Sequence, residues 1–509
     1  MAKKHTPTEQ QLSIVAAACA LAVGGILKIK AGAGSGKTST LILIAEALQM
    51  IGVYMCFNRV TSDEAKLKFP EEWIEPRTSH SLAFEKWGRK LQHKLKRPQP
   101  TKYVRYTNVA FTGSEINKFF NIGDMHFDED TTASGAFIGM LARITVNRFE
   151  QSADDVIEMK HVPTTDLKEK LKEASYVHRA KEKVLWAAKM LWAERIDKDS
   201  VVLISPDTYL KLYQLSKPII HNSDGIIPDV LFVDEFQDTT PCVLDIVMRQ
   251  KSHMRIVVVG DDRQAIYGWR GAINAMQMVD APTLPLTKSF RYGQAIADVA
   301  TTVLERDMVL QGNEAIDSIA GENVVKRSQP YTRLFRTNAS LLGSAIDAIK
   351  KGRSVNIEID VKDFVKFLES AQALYLGDTK KVKHDKLLAF ETWEEAKAES
   401  KLDPDIGRAV MVIENGIIED WIDTLTSHVN VREPHITFTT AHKSKGREWD
   451  QVIVENDFAS CYNEDGEWVG LQREEQNLLY VALTRAILRL QTNKTIREYL
   501  SRVTEKEAQ

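Results

Sequence analysis

Residues 28–40 read KIKAGAGSGKTST, and these thirteen positions decide the fold class. A short run alternating lysine with apolar residues suits a strand. It enters a turn with glycine at 32, 34 and 36, then meets Lys37, Thr38 and Ser39 at the start of an apolar helical stretch, LILIAEAL. Strand, glycine-rich turn and helix start together form a phosphate cradle. Glycines let backbone N–H groups of Gly32, Ala33, Gly34, Ser35 and Gly36 turn toward phosphate oxygens, and the helix adds its positive end. The stretch AGAGSGKT has the Walker A spacing, with Ala31 in the first glycine position. Lys37 would neutralise the β- and γ-phosphates, and Thr38 would offer a hydroxyl to Mg²⁺. A glycine-rich turn can carry Lys-Thr by accident, but the strand before it and the helix after it are what a triphosphate site requires.

Working outward, short β-branched runs recur at 26–30, 52–56, 201–204, 230–234 and 255–260, with helical patterns between them. Apolar strands alternating with helices indicate a parallel sheet covered on both faces. A second series at 331–337, 408–414, 435–440 and 450–455 predicts a second α/β domain. The chain of 509 residues is long enough for two to four domains. The expected division is a first α/β domain over 1–85 and 196–285, a helical insertion over 86–195, and a second α/β domain over 286–509. At 43% hydrophobic and 27% charged the composition is that of an ordinary globular protein, and a net charge of −3 confines any nucleic-acid surface to a local basic groove. Four scattered cysteines form no CxxC pair, which suggests neither zinc nor a disulfide framework and fits a reducing compartment. The most apolar stretch, LSIVAAACALAVGGILKI, is broken at Gly24–Gly25 and reads as a buried helix followed by a strand, so no membrane association is expected.

A second cluster completes the nucleotide chemistry. VLFVDEFQDTTP (230–241) ends a buried strand in acids. Asp234 suits a hold on Mg²⁺, and Glu235 is placed to orient and deprotonate an attacking water. In VVVGDDRQAIYGWRGA (257–272), Gln264 offers an uncharged hydrogen bond to a γ-phosphate. Tyr267 and Trp269, flanked by Arg263 and Arg270, are unusual for a loop; they suit ordinary packing or stacking on unpaired bases.

With these stretches in view, the sequence resembles the superfamily 1 DNA helicases of the UvrD/Rep/PcrA type. DEFQDT and GDDRQAIYGWRGA are close to diagnostic. FNRVTSDEA (57–65), TSHSLAF (78–84) and TVNRFEQSADD (145–155) look more like the F-box DNA helicase branch, although no F-box-like segment is expected ahead of a motor that begins almost at Met1. The resemblance implies two tandem RecA-like parallel-sheet P-loop motor domains, with a helical insertion in the first and a reduced insertion, within 341–434, in the second. It implies that Gln11 reads adenine, with Gln10 as the alternative, and that Phe290 stacks on it where a tyrosine is usual. Arg291 and Arg485 take the positions of two arginine fingers. Glu448 would accept from the ribose hydroxyl. Phe57 or Asn58, His80, Tyr267, Trp269, Arg270 and His442 would face DNA. Gln476–Asn477 stand where the family carries two basic residues, Arg447 where leucine is usual, and Trp449 where phenylalanine is.

ATP would then bridge two domains, and closure favoured only while the γ-phosphate is present would drive 3′-to-5′ movement along single-stranded DNA. The expected cofactors are ATP and Mg²⁺, and the expected partners are single-stranded DNA and single-strand/duplex junctions. A nuclease, recombinase or single-strand-binding protein would be a separate chain, since little sequence follows Arg485. The expected setting is cytoplasmic, on a nucleoid or in a phage-infected cell, or nuclear in a eukaryote, in repair, recombination or replication. Two other readings remain: a DNA-sensing ATPase subunit of a repair or anti-phage complex, and an unrelated P-loop ATPase or kinase.

Overall fold

The structure, a computed structural model, describes residues 6–508 apart from 57, 96–112, 269–270, 385, 388–389, 391, 399 and 401–403. In chain order the strands are β1 (Ile26–Ala31), β2 (Gly52–Cys56), β3 (Ile74–Thr78), the short antiparallel pair β4 (Met125–His126) and β5 (Thr132–Ala133), β6 (Val230–Val233), β7 (Arg255–Gly260), β8 (Thr283–Leu286), β9 (Ile319–Gly321), β10 (Tyr331–Phe335), β11 (Val355–Ile357), β12 (Ile436–Thr440), β13 (Trp449–Val454) and β14 (Ala486–Gln491). Two six-stranded sheets result. The first has the order β3-β2-β6-β7-β1-β8 and the second β11-β12-β10-β13-β14-β9. Every pairing within them is parallel, so both are covered by helices, as continuous apolar strands require.

The central strands explain why the sheets form where they do. In β1, Ile26, Leu27, Ile29 and Ala31 are buried, and Ile29 sits in register with Val259 of β7. Lys28 interrupts this apolar strand without strain because its ammonium donates to the carbonyls of Met276 and Val279 at 3.0 and 2.8 Å. All five residues of β2 are buried. The apolar stretch before β1 folds as helix Glu9–Cys19, closed by a capping box between Thr8 and Gln11.

Two expected strands do not form. Residues 201–204 join no sheet; Val202, Leu203 and Ile204 are buried all the same, Val202 in the core of the helical layer and Ile204 against Leu91 and Leu212. Residues 408–414 belong to helix Pro404–Glu414, in which Ala409, Val410, Val412 and Ile413 turn into the core. An apolar run of this length fits either period, and tertiary packing chose the helix. Conversely β3, with Glu75, Pro76 and Arg77, and β8, with a central proline, are edge strands whose composition hides them.

Between β3 and β6 the chain builds a helical layer with its own core. Helices Gly135–Gln151 and Ala174–Ile196 are its long members, and Ile138, Leu141, Val146, Val184 and Leu191 are fully enclosed. Arg195 and Glu150 form a buried ion pair at 2.8 Å. Thr208, on helix Pro206–Leu215, donates to the same carboxylate at 2.6 Å, which ties the helical layer to the first sheet's domain.

Candidate active site

The loop after β1 takes the strained path its glycines allow. Gly34 and Gly36 have φ of +72° and +81°. A Cβ on Gly34 would lie 2.7 Å from the Arg291 Cβ, so the loop and the chain after β8 meet there with room for glycine alone. Phe290 N–H donates to the Gly34 carbonyl at 2.8 Å. Gly36 caps helix Lys37–Leu48, whose N-terminal end therefore faces the loop.

β6 delivers the acids. Thr38 Oγ1 donates to Asp234 Oδ2 at 3.4 Å, and the Tyr54 hydroxyl donates to the same oxygen at 2.6 Å. Lys37 Nζ pairs with Glu235 Oε1 at 2.8 Å, while Gln237 Nε2 donates to Glu235 Oε2 at 2.5 Å. Glu235 itself is left-handed, with φ +49°, a strained conformation for a non-glycine residue and one that clusters at functional sites. Burial alone would raise its carboxyl, but Lys37 and then Lys445 outweigh that and hold it at about 2. Burial and the neighbouring Glu235 push Asp234 up instead, against Lys37. Two adjacent carboxyls are thus separated in charge, one firmly ionised and one easier to neutralise unless a cation stands beside it.

From β7, Asp261 caps the short turn Asp262–Gln264. Its Oδ1 accepts from Arg263 N–H at 3.0 Å, and its Oδ2 accepts from Gln264 Nε2 at 2.6 Å. Burial raises Asp261 to about 6 despite the attraction of Lys37.

Two turns beside the second sheet supply the cations: Arg291 precedes helix Gln294–Val303 and Arg485 follows helix Arg473–Leu483. Arg291 Nε donates to Glu448 Oε2 at 2.6 Å and its Nη1 donates to the Thr484 carbonyl at 3.2 Å. Arg485, 1% exposed, is anchored by its Nε to the Val481 carbonyl at 2.8 Å and by Nη2 to Thr484 Oγ1 at 3.1 Å. Burial and the facing Arg291 pull it down to about 9, so it stays charged at neutral pH. A cavity of about 670 Å³ gathers Gly34, Ser35, Gly36, Lys37, Thr38, Ser39, Asp234, Glu235, Gln264, Phe290, Arg291, Glu448 and Arg485 on one wall or another. Gly32 and Ala33 lie behind the loop: Gly32 N–H donates to the Leu286 carbonyl at 2.8 Å, and Ala33 N–H to the Tyr480 hydroxyl at 2.9 Å. Gln11 is buried beside the cavity, donating to Thr40 Oγ1 at 3.1 Å and close to Gly36; Gln10 is turned to Thr287 instead.

Beside Asp261, Gln237 and Asp238, further residues join this site that the sequence did not single out. Lys445 pairs with Asp238 at 2.5 Å and donates to the Gln264 carbonyl at 2.7 Å. It is one of three cations in KSKGR, and its spacing says nothing of where it points. Tyr54 sits in an apolar strand and reads as core. Tyr480 does the same within LLYVAL.

The expected DNA-facing residues are scattered around a neighbouring opening. A second cavity of about 380 Å³ is lined by His80, Tyr267, Thr239 and Ala272 and shares Asp234, Glu235 and Asp238 with the first. His80 donates to Asp207 at 3.1 Å. Tyr267 lines both cavities, with Lys445 Nζ 5.0 Å from its ring centroid. Asn58 caps helix Arg59–Lys66 and lines the larger cavity, so the structure groups it with the phosphate loop. His442 is half-buried on the short helix Ala441–Ser444 after β12. Phe57, Trp269 and Arg270 lie outside the described residues. The Gln476–Asn477 pair is buried: Arg263 donates to Gln476 Oε1 at 3.0 Å, and Asn477 Nδ2 donates to the Ala265 carbonyl at 3.0 Å. Arg447 pairs with Glu358.

Mg²⁺ fits the oxygen donors present. A hydroxyl and a carboxylate converge beside a phosphate cradle, and Mg²⁺ characteristically takes one or two protein oxygens and completes its shell with phosphates and water. No helix among the described residues is long and apolar enough to cross a membrane.

Comparison with known proteins follows the same lines. A family model described as the UvrD/REP helicase N-terminal domain matches residues 116–280, and one described as the UvrD-like helicase C-terminal domain matches residues 423–494. F-box DNA helicase protein 1 of Schizosaccharomyces pombe is 31% identical, over 96% of this chain and 57% of its own length. F-box DNA helicase 1 of Gallus gallus is 29% identical, over 91% and 47%. ATP-dependent DNA helicase PcrA of Leuconostoc citreum is 24% identical, over 56% and 37%. The chain therefore spans about half the length of the two F-box relatives.

Proposed function

The chain belongs to the UvrD-like DNA helicases, and from that premise we propose that it is a DNA-stimulated ATPase that moves 3′ to 5′ along single-stranded DNA and separates duplexes. The observation that carries the proposal is the two-sided cavity: the phosphate loop and acids come from the first sheet, and Phe290, Arg291, Glu448 and Arg485 come from segments leading into or built on the second. We assign 1–85 and 196–285 to the first motor lobe, 86–195 to the helical insertion and 286–509 to the second lobe, with a reduced accessory part in 341–434.

The geometry supports a sequence of partner exchanges. Lys37 is held by Glu235 at 2.8 Å. A triphosphate entering the loop would draw Lys37 to its β- and γ-oxygens and free Glu235 from its strongest counter-charge. The Glu235 carboxylate then rises from about 2 and becomes a better acceptor for the proton of an attacking water. Thr38 and Asp234 would hold Mg²⁺, which neutralises phosphate charge. Gln264, fixed by Asp261, would orient toward the γ-phosphate, and Phe290 beside Gln11 would stack on adenine. Arg291 would exchange Glu448 for the transferring phosphoryl group, leaving Glu448 for the ribose hydroxyl, and Arg485 would approach from the same side. Loss of the γ-phosphate removes what those two arginines grip, so the lobes separate.

Asn58 or Phe57, His80, Tyr267, Trp269, Arg270 and His442 would follow the strand, making contacts that depend on salt and little on sequence. The names of the relatives support DNA as the track. Repair or recombination is the setting we favour, with nuclear residence if the source is eukaryotic and a nuclease, recombinase or single-strand-binding protein as partner.

The test is hydrolysis and strand displacement on 3′-tailed, 5′-tailed and blunt duplexes. Stimulated hydrolysis with displacement of the 3′-tailed substrate is expected. Hydrolysis without displacement of any substrate would favour a DNA-sensing switch, and no stimulation by DNA would reject the motor.

A further inference from the structure

Tyr480 is fully buried on helix Arg473–Leu483, five residues ahead of Arg485. A phenol enclosed in a core needs a partner for its hydroxyl, and one carbonyl on its own lobe would suffice. Tyr480 instead crosses to the other lobe and finds two partners there. Its oxygen accepts from the Ala33 N–H of the phosphate loop at 2.9 Å, and its hydroxyl donates to Asp261 Oδ2 at 3.2 Å.

Asp261 distributes that contact. The oxygen that takes the Tyr480 hydroxyl also takes Gln264 Nε2 at 2.6 Å. The Asp261 N–H donates to Gln237 Oε1 at 3.0 Å, and the Gln237 amide donates to Glu235 Oε2 at 2.5 Å. A single hydroxyl of the second lobe therefore touches the phosphate-loop backbone directly. Through the Asp261 carboxylate it also reaches Gln264, assigned to phosphate sensing, and through the Asp261 backbone and Gln237 it reaches Glu235, assigned to water activation. Tyr480 lines neither cavity, so its contacts run to protein groups behind the loop.

We propose that Tyr480 is a positioning residue: its hydroxyl keeps the phosphate loop, Gln264 and Glu235 in register with the helix that leads into Arg485. Hydrolysis then proceeds only with the second lobe seated. The proposal rests on the ATPase reading above. The segment of helix Arg473–Leu483 reaches the nucleotide region twice, through Tyr480 in the helix's last turn and through Arg485 two residues past its end, and both must shift together when the helix moves.

The experiment is steady-state ATP hydrolysis by the full chain carrying Tyr480→Phe, with and without single-stranded DNA, alongside a fluorescent ADP analogue titration and a thermal melt. The variant keeps the ring and its packing and loses only the two hydrogen bonds. The expected result is a fall in DNA-stimulated kcat on the order of tenfold or more, with KM for ATP and affinity for the ADP analogue within about threefold of the unmodified chain. A kcat within about twofold, or a loss confined to KM, overturns the positioning role. Absence of DNA-stimulated hydrolysis in the unmodified chain would instead reject the ATPase reading. If Tyr480→Phe proves insoluble, Asp261→Asn carries the test. It keeps the side-chain shape, weakens the bonds to both Tyr480 and Gln264, and should lower kcat selectively; an unchanged kcat overturns the proposal.

Discussion

At the scale of single residues, the cavity is lined by cations and carboxylates that satisfy one another, and the proposed hydrolysis requires them to change partners. Lys37 holds Glu235, Arg291 holds Glu448, and Lys445 holds Asp238. Each pair keeps a charge paired in a partly desolvated place, where an unpaired charge is expensive. The two arginines differ in how they are held. Arg291 has a carboxylate to give up, whereas Arg485 is tied by its Nε and Nη1 to the Val481 and Arg447 carbonyls and is fully enclosed. Arg291→Ala and Arg485→Ala should each reduce kcat for ATP by roughly a thousandfold with little change in nucleotide affinity. Steady-state kinetics together with equilibrium binding of an ADP analogue would check this; a change in KM alone would remove the finger role. Arg485→Ala should also cost stability, because its guanidinium fills a closed site and Arg291→Ala empties an open one.

Elements show where sequence patterns held and where packing overrode them. β1, β2, β6, β7, β10, β12 and β13 are legible because each is a short, mainly apolar or β-branched run that is mostly buried. Residues 408–414 carry the same apolar density yet turn into a helix, because that segment packs one face against the second sheet's core and leaves Met411 outside. In the helical layer, the Arg195–Glu150 pair is enclosed at both ends, with 2% and 1% side-chain exposure. Burial raises the Glu150 carboxyl and Arg195 opposes that rise. Arg195→Ala would strand this carboxylate and should destabilise the chain by about 3–5 kcal/mol. Chemical denaturation of the variant measures this, and a loss under ~1 kcal/mol would mean water reaches Glu150. Arg195→Met with Glu150→Leu should recover most of the loss, since an apolar pair of similar volume avoids the desolvation cost.

For the whole molecule, the larger cavity is lined by segments that precede and follow strands of both sheets, and hydrogen bonds such as Phe290 to Gly34, Lys445 to Gln264 and Asn477 to Ala265 hold that arrangement. If a γ-phosphate controls it, the distance across the cavity should depend on nucleotide. Dyes at Glu64 and Asp450, both exposed, with Cys19 replaced by serine, should report different transfer efficiencies for a non-hydrolysable ATP analogue and for ADP; identical values would argue against lobe motion. The amino-acid sequence by itself determined the phosphate loop, the paired sheets and the family, because each is written in contiguous residues: glycines that allow a local turn, β-branched runs that demand burial, and motifs that are short and ordered. Tertiary structure decided what depends on two distant segments meeting. Tyr480 meets Ala33 across 447 positions, and Lys445 meets Asp238 across 207. A hydrogen bond between such residues leaves no periodicity or spacing in either segment; only folding brings the donor to its acceptor.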